Sequence, residues 1–104
     1  MFSKERALAL IQESLDSLQR SGMLNQAVAV TSDTVLLGTG SFLDSLGFVT
    51  LVTELEDRMN QEMGREIYFV LDEVQNFNIN NPFLSAGVFA DYMQDLAARG
   101  AAPR

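Results

Sequence analysis

The chain has 104 residues, the length of one ordinary domain, and 47% of them are apolar, so a single core is affordable and the composition is not that of a disordered segment. It contains neither Cys nor His, which excludes disulfides, thiolate and imidazole catalysis and the usual zinc constellations. The formal charge of −7 argues against nucleic acid as a partner, because phosphate binding needs a cationic surface, and favours basic proteins instead.

Residues 7–11 form an apolar run that Gln12 and Glu13 break at once, too short for a signal segment or a membrane span. A cytoplasmic protein is expected, as one domain over residues 1–104 with a folded part of about 3–98 and a disordered tail at 100–104. The acidity is uneven: residues 33–95 hold eleven Asp and Glu against only Arg58 and Arg65.

From Ser3 to about Ser21, Leu8, Ile11, Leu15 and Leu18 recur at helical spacing with Glu13, Asp16 and Gln19 between them. This predicts an amphipathic helix stopped near Gly22. Residues 22–43 lose the period and read as a long loop pinned to the core by Val28, Val30, Val35, Leu36 and Leu37. A hairpin over residues 28–37 is the competing reading, disfavoured because no other convincing strand is in sight.

Asp44 or Ser45 can cap the next helix with a side-chain oxygen. At about 100° per residue, Phe48, Leu51, Val52, Leu55 and Met59 fall in one core stripe. Leu46, Thr50, Thr53 and Asp57 point the other way, and Ser45, Val49 and Glu56 lie along a flank. Gly64 ends this helix. Residues 67–71 are an apolar run ambiguous between strand and packed connector, and the connector is preferred for want of a partner strand. A short helical turn is expected from about Asp72, and Pro82 bars helix just before it. Ser85 can cap a last helix carrying Phe89, Tyr92, Met93 and Leu96. The expected architecture is an all-α bundle of three main helices and one short one.

Catalytic constellations do not assemble. Gly38-Thr39-Gly40 lacks the third glycine of a dinucleotide loop and any Walker lysine. Ser45 has no histidine to serve as base. Glu54, Glu56 and Asp57 lie at roughly 180°, 20° and 120° around the helix, counted from Ser45, and so do not converge on one pocket. Two readings of Ser45 remain: a plain helix cap, or an exposed hydroxyl open to covalent modification where free N–H groups and the macrodipole favour an attached phosphate.

Asp44-Ser45-Leu46 followed by Val49, Leu51-Val52 and Leu55-Glu56 resembles the D-S-L-x-x-V-x-L-V-x-x-L-E signature of acyl carrier proteins and related carrier domains. Residues 33–38 ahead of Phe42-Leu43-Asp44-Ser45 look like that family's approach to the modified serine, and residues 83–93 resemble its last helix. The likeness covers about residues 3–98 in matching order. It implies an acyl-carrier-like four-helix bundle that is not itself an enzyme. Ser45, beside Asp44, would take 4′-phosphopantetheine from coenzyme A through a separate phosphopantetheinyl transferase, and the arm's thiol would carry an acyl thioester.

The resemblance further implies docking on basic patches of acyl-loading and acyl-processing enzymes. Asp44, Glu54, Glu56 and Asp57 would supply carboxylates for it, and Leu46 and Val49 apolar contacts. An acyl pocket would be lined by Phe48, Leu51, Val52, Leu55, Met59, Phe89 and Met93. The carrier is expected to be a monomer. Gly47 and Thr50 stand where housekeeping carriers tend to have carboxylates, which points to a dedicated lipid, lipopolysaccharide or secondary-metabolite pathway. An aminoacyl or peptidyl carrier using the same Ser45, or an unmodified helical interaction module, are the alternatives.

Overall fold

The computed structural model describes residues 2–24, 27–38, 45–64, 66–70 and 83–99. It is mostly helical, with α1 (Lys4–Arg20), α2 (Ser45–Met63) and α3 (Ala86–Arg99), and carries a small antiparallel sheet of β1 (Val35–Gly38) and β2 (Phe83–Ser85). The expected short helix after Asp72 and the expected tail at 100–104 lie outside the described residues.

Both ends of α1 follow from local chemistry. The Ser3 hydroxyl accepts from the Arg6 N–H at 3.0 Å, satisfying one free donor of the first turn. Gly22, at φ 90°, lets the chain turn left-handed, so that Gly22 N–H donates to the Gln19 carbonyl and Met23 N–H to that of Leu18. Gly64, at φ 69°, ends α2 in the same conformational region.

The sheet departs from the all-α expectation. Val35, Leu37 and Gly38 pair with Ser85, Leu84 and Phe83, with an irregularity between Val35 and Leu37. The two strands stand more than forty residues apart in sequence, so a local search for a hairpin partner does not find the pair. β2 runs straight into α3, and the loop before β1 closes that helix. The Thr34 and Ser32 carbonyls accept from Ala86 and Gly87 N–H at 2.7 and 2.9 Å, and Ser85 Oγ accepts from Val88 N–H at 3.2 Å. Three otherwise free donors of the first turn of α3 are thereby satisfied. A Cβ at Gly87 would stand 2.9 Å from the Ser32 carbonyl oxygen, so this approach needs glycine.

The first loop is pinned by Leu36, which is buried, and by Val28 and Val30, packed against the core, as the sequence suggests; Leu24 is buried as well, whereas Leu37, expected among the pins, is exposed. Gln12 of α1 adds a polar clamp. Its amide donates to the Val28 carbonyl at 2.6 Å and accepts from Val30 N–H at 2.8 Å, as a neighbouring strand would.

The helix α1 packs against both α2 and α3. Arg6 reaches Glu62 and Glu13 reaches Arg58, so α1 and α2 run antiparallel. One hydrophobic core joins Ile11, Leu15 and Leu18 of α1 to Leu51, Leu55 and Met59 of α2 and to Phe89, Tyr92 and Met93 of α3. Burying a side chain of the size of Phe89 contributes about 1.5–3 kcal/mol.

Candidate functional site: the outer face of α2 and the strap beside it

Ser45 is the first residue of the 19-residue helix α2, and Asp44 lies outside the described residues. The first turn of α2 itself carries no acidic side chain. Immediately after Ser45 the helix turns two aliphatic side chains outward: Leu46 is 67% exposed and Val49 54%. The Thr50 and Thr53 hydroxyls on this face donate back to the Leu46 and Val49 carbonyls at 2.9 and 3.0 Å, as helical threonines commonly do.

The opposite stripe is interior. Phe48, Leu51, Leu55 and Met59 are buried, as are Phe89 and Met93 of α3, while Val52 is half-buried against the same core. Phe48 meets Phe89 edge to face with centroids 6.3 Å apart.

Of the four carboxylates expected on the docking surface, the three that lie among the described residues have different surroundings. Asp57 is exposed and, among the described residues, accepts from Gln61 Nε2 at 3.2 Å, one turn along. Glu54 receives Arg58 at 3.4 Å, and Arg58 also reaches Glu13 of α1 at 3.2 Å. Arg6 completes this band, bonding Glu62 through two nitrogens at 2.8 and 3.0 Å. The hollow of about 160 Å³ among Arg6, Leu10, Glu13, Arg58, Gln61 and Glu62 is thus lined by charges that already oppose one another.

Glu56 turns inward to the chain. Its Oε2 accepts from Phe69 N–H at 2.7 Å. One helical turn on, Asn60 Oδ1 accepts from Ile67 N–H. From α3, the Tyr92 hydroxyl accepts from Val70 N–H at 2.9 Å and donates to the Val70 carbonyl at 3.4 Å. Residues 66–70 therefore form an extended strap that lies antiparallel to α2 and bridges it to α3. Ile67 and Phe69 are buried, whereas Glu66, Tyr68 and Val70 face out, the alternation of a strand, although among the described residues no strand pairs with it. Side chains of α2 and α3 take the place of that partner, which is why the apolar run reads as a packed connector. Phe69 closes an aromatic cluster with Phe89 at 5.4 Å and Tyr92 at 5.8 Å. On the outer side, hydrogen bonding to Glu66 raises the Tyr68 pKa above its ordinary 10.0.

No protein-family model matches this chain. Comparisons with curated proteins and with solved structures likewise give no match. The site therefore has to be read from its own residues.

Sequence reasoning assigned Phe48, Leu51, Val52, Leu55, Met59, Phe89 and Met93 to the acyl lining; it had Tyr92 only in the spacing of the last helix and Phe69 only in the packed connector. The signal for Tyr92 was its place three residues after Phe89. That for Phe69 was the alternation of residues 66–70. Ser14 was also passed over: it is fully buried, and its Oγ has no hydrogen-bond partner. A serine among Leu10, Ile11, Leu15 and Leu18 is visible as a polar break in the stripe. Among the described residues no group of three or more Asp and Glu is placed to hold a metal ion, and no helix is long and apolar enough to cross a membrane.

Proposed function

We propose that this chain is a carrier protein of the acyl-carrier type, in which Ser45 bears 4′-phosphopantetheine and α2 presents the loaded arm to separate enzymes. The observation that supports the reading is that Ser45 of the D-S-L sequence is the first residue of α2, with Leu46 and Val49 exposed after it. A helix start suits the group, because first-turn N–H donors and the positive end of the helix dipole favour a phosphodiester. When bound, the arm supplies a thiol that a chain without Cys otherwise lacks.

The work left to the polypeptide is recognition and shelter. Leu46 and Val49 offer apolar contacts to a partner, and Asp57 offers a carboxylate to its basic patch. Glu54 and Glu56 contribute negative potential while holding Arg58 and the strap. The interior between α2 and α3, lined by Phe48, Leu51, Val52, Leu55, Met59, Phe89 and Met93, gives an acyl chain an apolar refuge. Phe69 and Tyr92 belong to that lining. A dedicated pathway with its own partners suits an α2 whose first turn lacks carboxylates.

The test is intact-mass analysis after incubation with coenzyme A, Mg²⁺ and a broad-specificity phosphopantetheinyl transferase. One phosphopantetheinyl gain is expected on the native chain and none on Ser45→Ala. No gain on the native chain, or an equal gain on the variant, overturns the carrier reading and leaves an unmodified interaction module.

A further inference from the structure

The outer side of the strap is ordered beyond what holding it to the helices requires. Glu66, Tyr68 and Val70 alternate outward from an extended backbone, so their side chains line one face at a spacing of about 6–7 Å. Tyr68 is 64% exposed and Val70 46%. An aromatic ring and an aliphatic side chain are thus offered together to whatever meets this face.

The face is also held still. Ile67 and Phe69 are buried beneath it, and its backbone is bonded to Asn60 and Glu56 of α2 and to Tyr92 of α3. The Tyr68 hydroxyl is in turn hydrogen-bonded to Glu66, its neighbour on the same face, and Glu56 adds negative charge to the surroundings of the phenol. Both raise its pKa, so near pH 7 the ring is neutral with a carboxylate at its rim. A side chain fixed in advance loses less freedom when something binds to it.

Charge and shape select the occupant. The chain carries −7, and residues 33–95 hold eleven Asp and Glu against two Arg, of which Arg58 is turned to Glu54 and Glu13. A second copy of the chain would bring the same charge to this face and be repelled. A cation is drawn both to the π face of a phenol and to a carboxylate. A guanidinium serves the two at once, because its plane lies on a ring while its fork of N–H groups donates to carboxylate oxygens, and its stem packs on an aliphatic neighbour. An ammonium is a compact, strongly hydrated point charge and gains less from the ring.

We infer that the outer face of the strap, formed by Glu66, Tyr68 and Val70, is a docking surface for an arginine side chain of a partner protein, its guanidinium stacked on Tyr68 and bonded to Glu66. The inference stands apart from the carrier reading. Glu56, which anchors the strap, lies about 16 Å along α2 from Ser45 at 1.5 Å per residue, and the contact needs no modification of that serine.

The experiment titrates the whole isotope-labelled chain, followed by NMR, with a short blocked peptide holding one arginine between aliphatic residues. The same peptide with lysine or citrulline in that place is run beside it. The Tyr68 ring and the Val70 methyls are expected to shift with the arginine peptide and to saturate at roughly millimolar concentration, as suits one small contact. Lysine should bind about two- to five-fold more weakly, and citrulline, which keeps the plane without the charge, more weakly still. Tyr68→Ala should weaken the arginine peptide about two- to five-fold, the factor of a cation–π contact on an exposed ring, whereas Tyr68→Phe keeps the ring and most of the binding. Unchanged shifts of the buried Leu51 and Leu55 show that each variant is folded.

Equal affinity for arginine and lysine, no shift at Tyr68 and Val70, or undiminished binding by Tyr68→Ala overturns the inference. Tyr68 shifts that depend on protein concentration without any peptide would place a second copy on this face and overturn it too. Failure of Ser45 to accept the arm overturns the carrier reading alone.

Discussion

Glu56 decides between two uses of the acidic helix. If it holds the strap, Glu56→Ala removes the acceptor for Phe69 N–H at 2.7 Å and leaves that amide to find water or nothing. Hydrogen bonds to charged groups contribute about 1.5–3 kcal/mol, and a half-buried carboxylate belongs at the lower end, so a loss of ~1–2 kcal/mol is expected. For a domain of this length that lowers Tm by roughly 5–15 °C. Asp57→Ala is the control, because its contact with Gln61 is an exposed one-turn pair whose value is only a few tenths of a kcal/mol. Thermal unfolding followed by far-ultraviolet circular dichroism gives the two midpoints, and amide exchange at Phe69 reports the strap directly. Glu56→Gln keeps an acceptor oxygen without the charge and should fall between. If Glu56→Ala melts together with Asp57→Ala, and Phe69 exchanges no faster, the strap is not held by this carboxylate.

The clamp made by Gln12 predicts that Gln12→Ala costs about 1–3 kcal/mol, the sum of two backbone-directed hydrogen bonds, with faster exchange at Val30; an unchanged Val30 amide would count against it. A pH dependence follows from Glu62, whose carboxyl is held below its ordinary 4.5 by hydrogen bonding to Arg6. Because the folded form binds this proton less tightly than the unfolded form, the contribution is fully present above the ordinary value and is lost as pH falls through the lowered one. The stability difference between the native chain and Glu62→Gln should therefore be constant at neutral pH and disappear in acid. A difference persisting in strong acid would refute the assignment.

Much of the helical framework is readable along the chain because its signals are local. Ser3 and Ser85 cap where a hydroxyl precedes free N–H groups, Gly22 and Gly64 end helices where the backbone turns left-handed, and a period near 3.6 sorts Phe48, Leu51, Leu55 and Met59 from Leu46 and Val49. A helix wheel also separates Glu54, Glu56 and Asp57 by direction. It does not say what each carboxylate meets, since that depends on segments far away in sequence.

The sequence by itself determined the three long helices, the Ser85 cap of α3, the inward stripe and the outward Leu46 and Val49 of α2, because each depends on neighbours within a turn or two. Tertiary structure decided the rest. It brought β1 to β2, set Gln12 beside the loop, turned Glu56 from a flank charge into the anchor of the strap, and left Ser14 buried without a hydrogen-bond partner. The physical reason is common to all four: a backbone N–H or a buried hydroxyl seeks whichever acceptor the packing of distant elements brings within 3 Å, and periodicity carries no information about that.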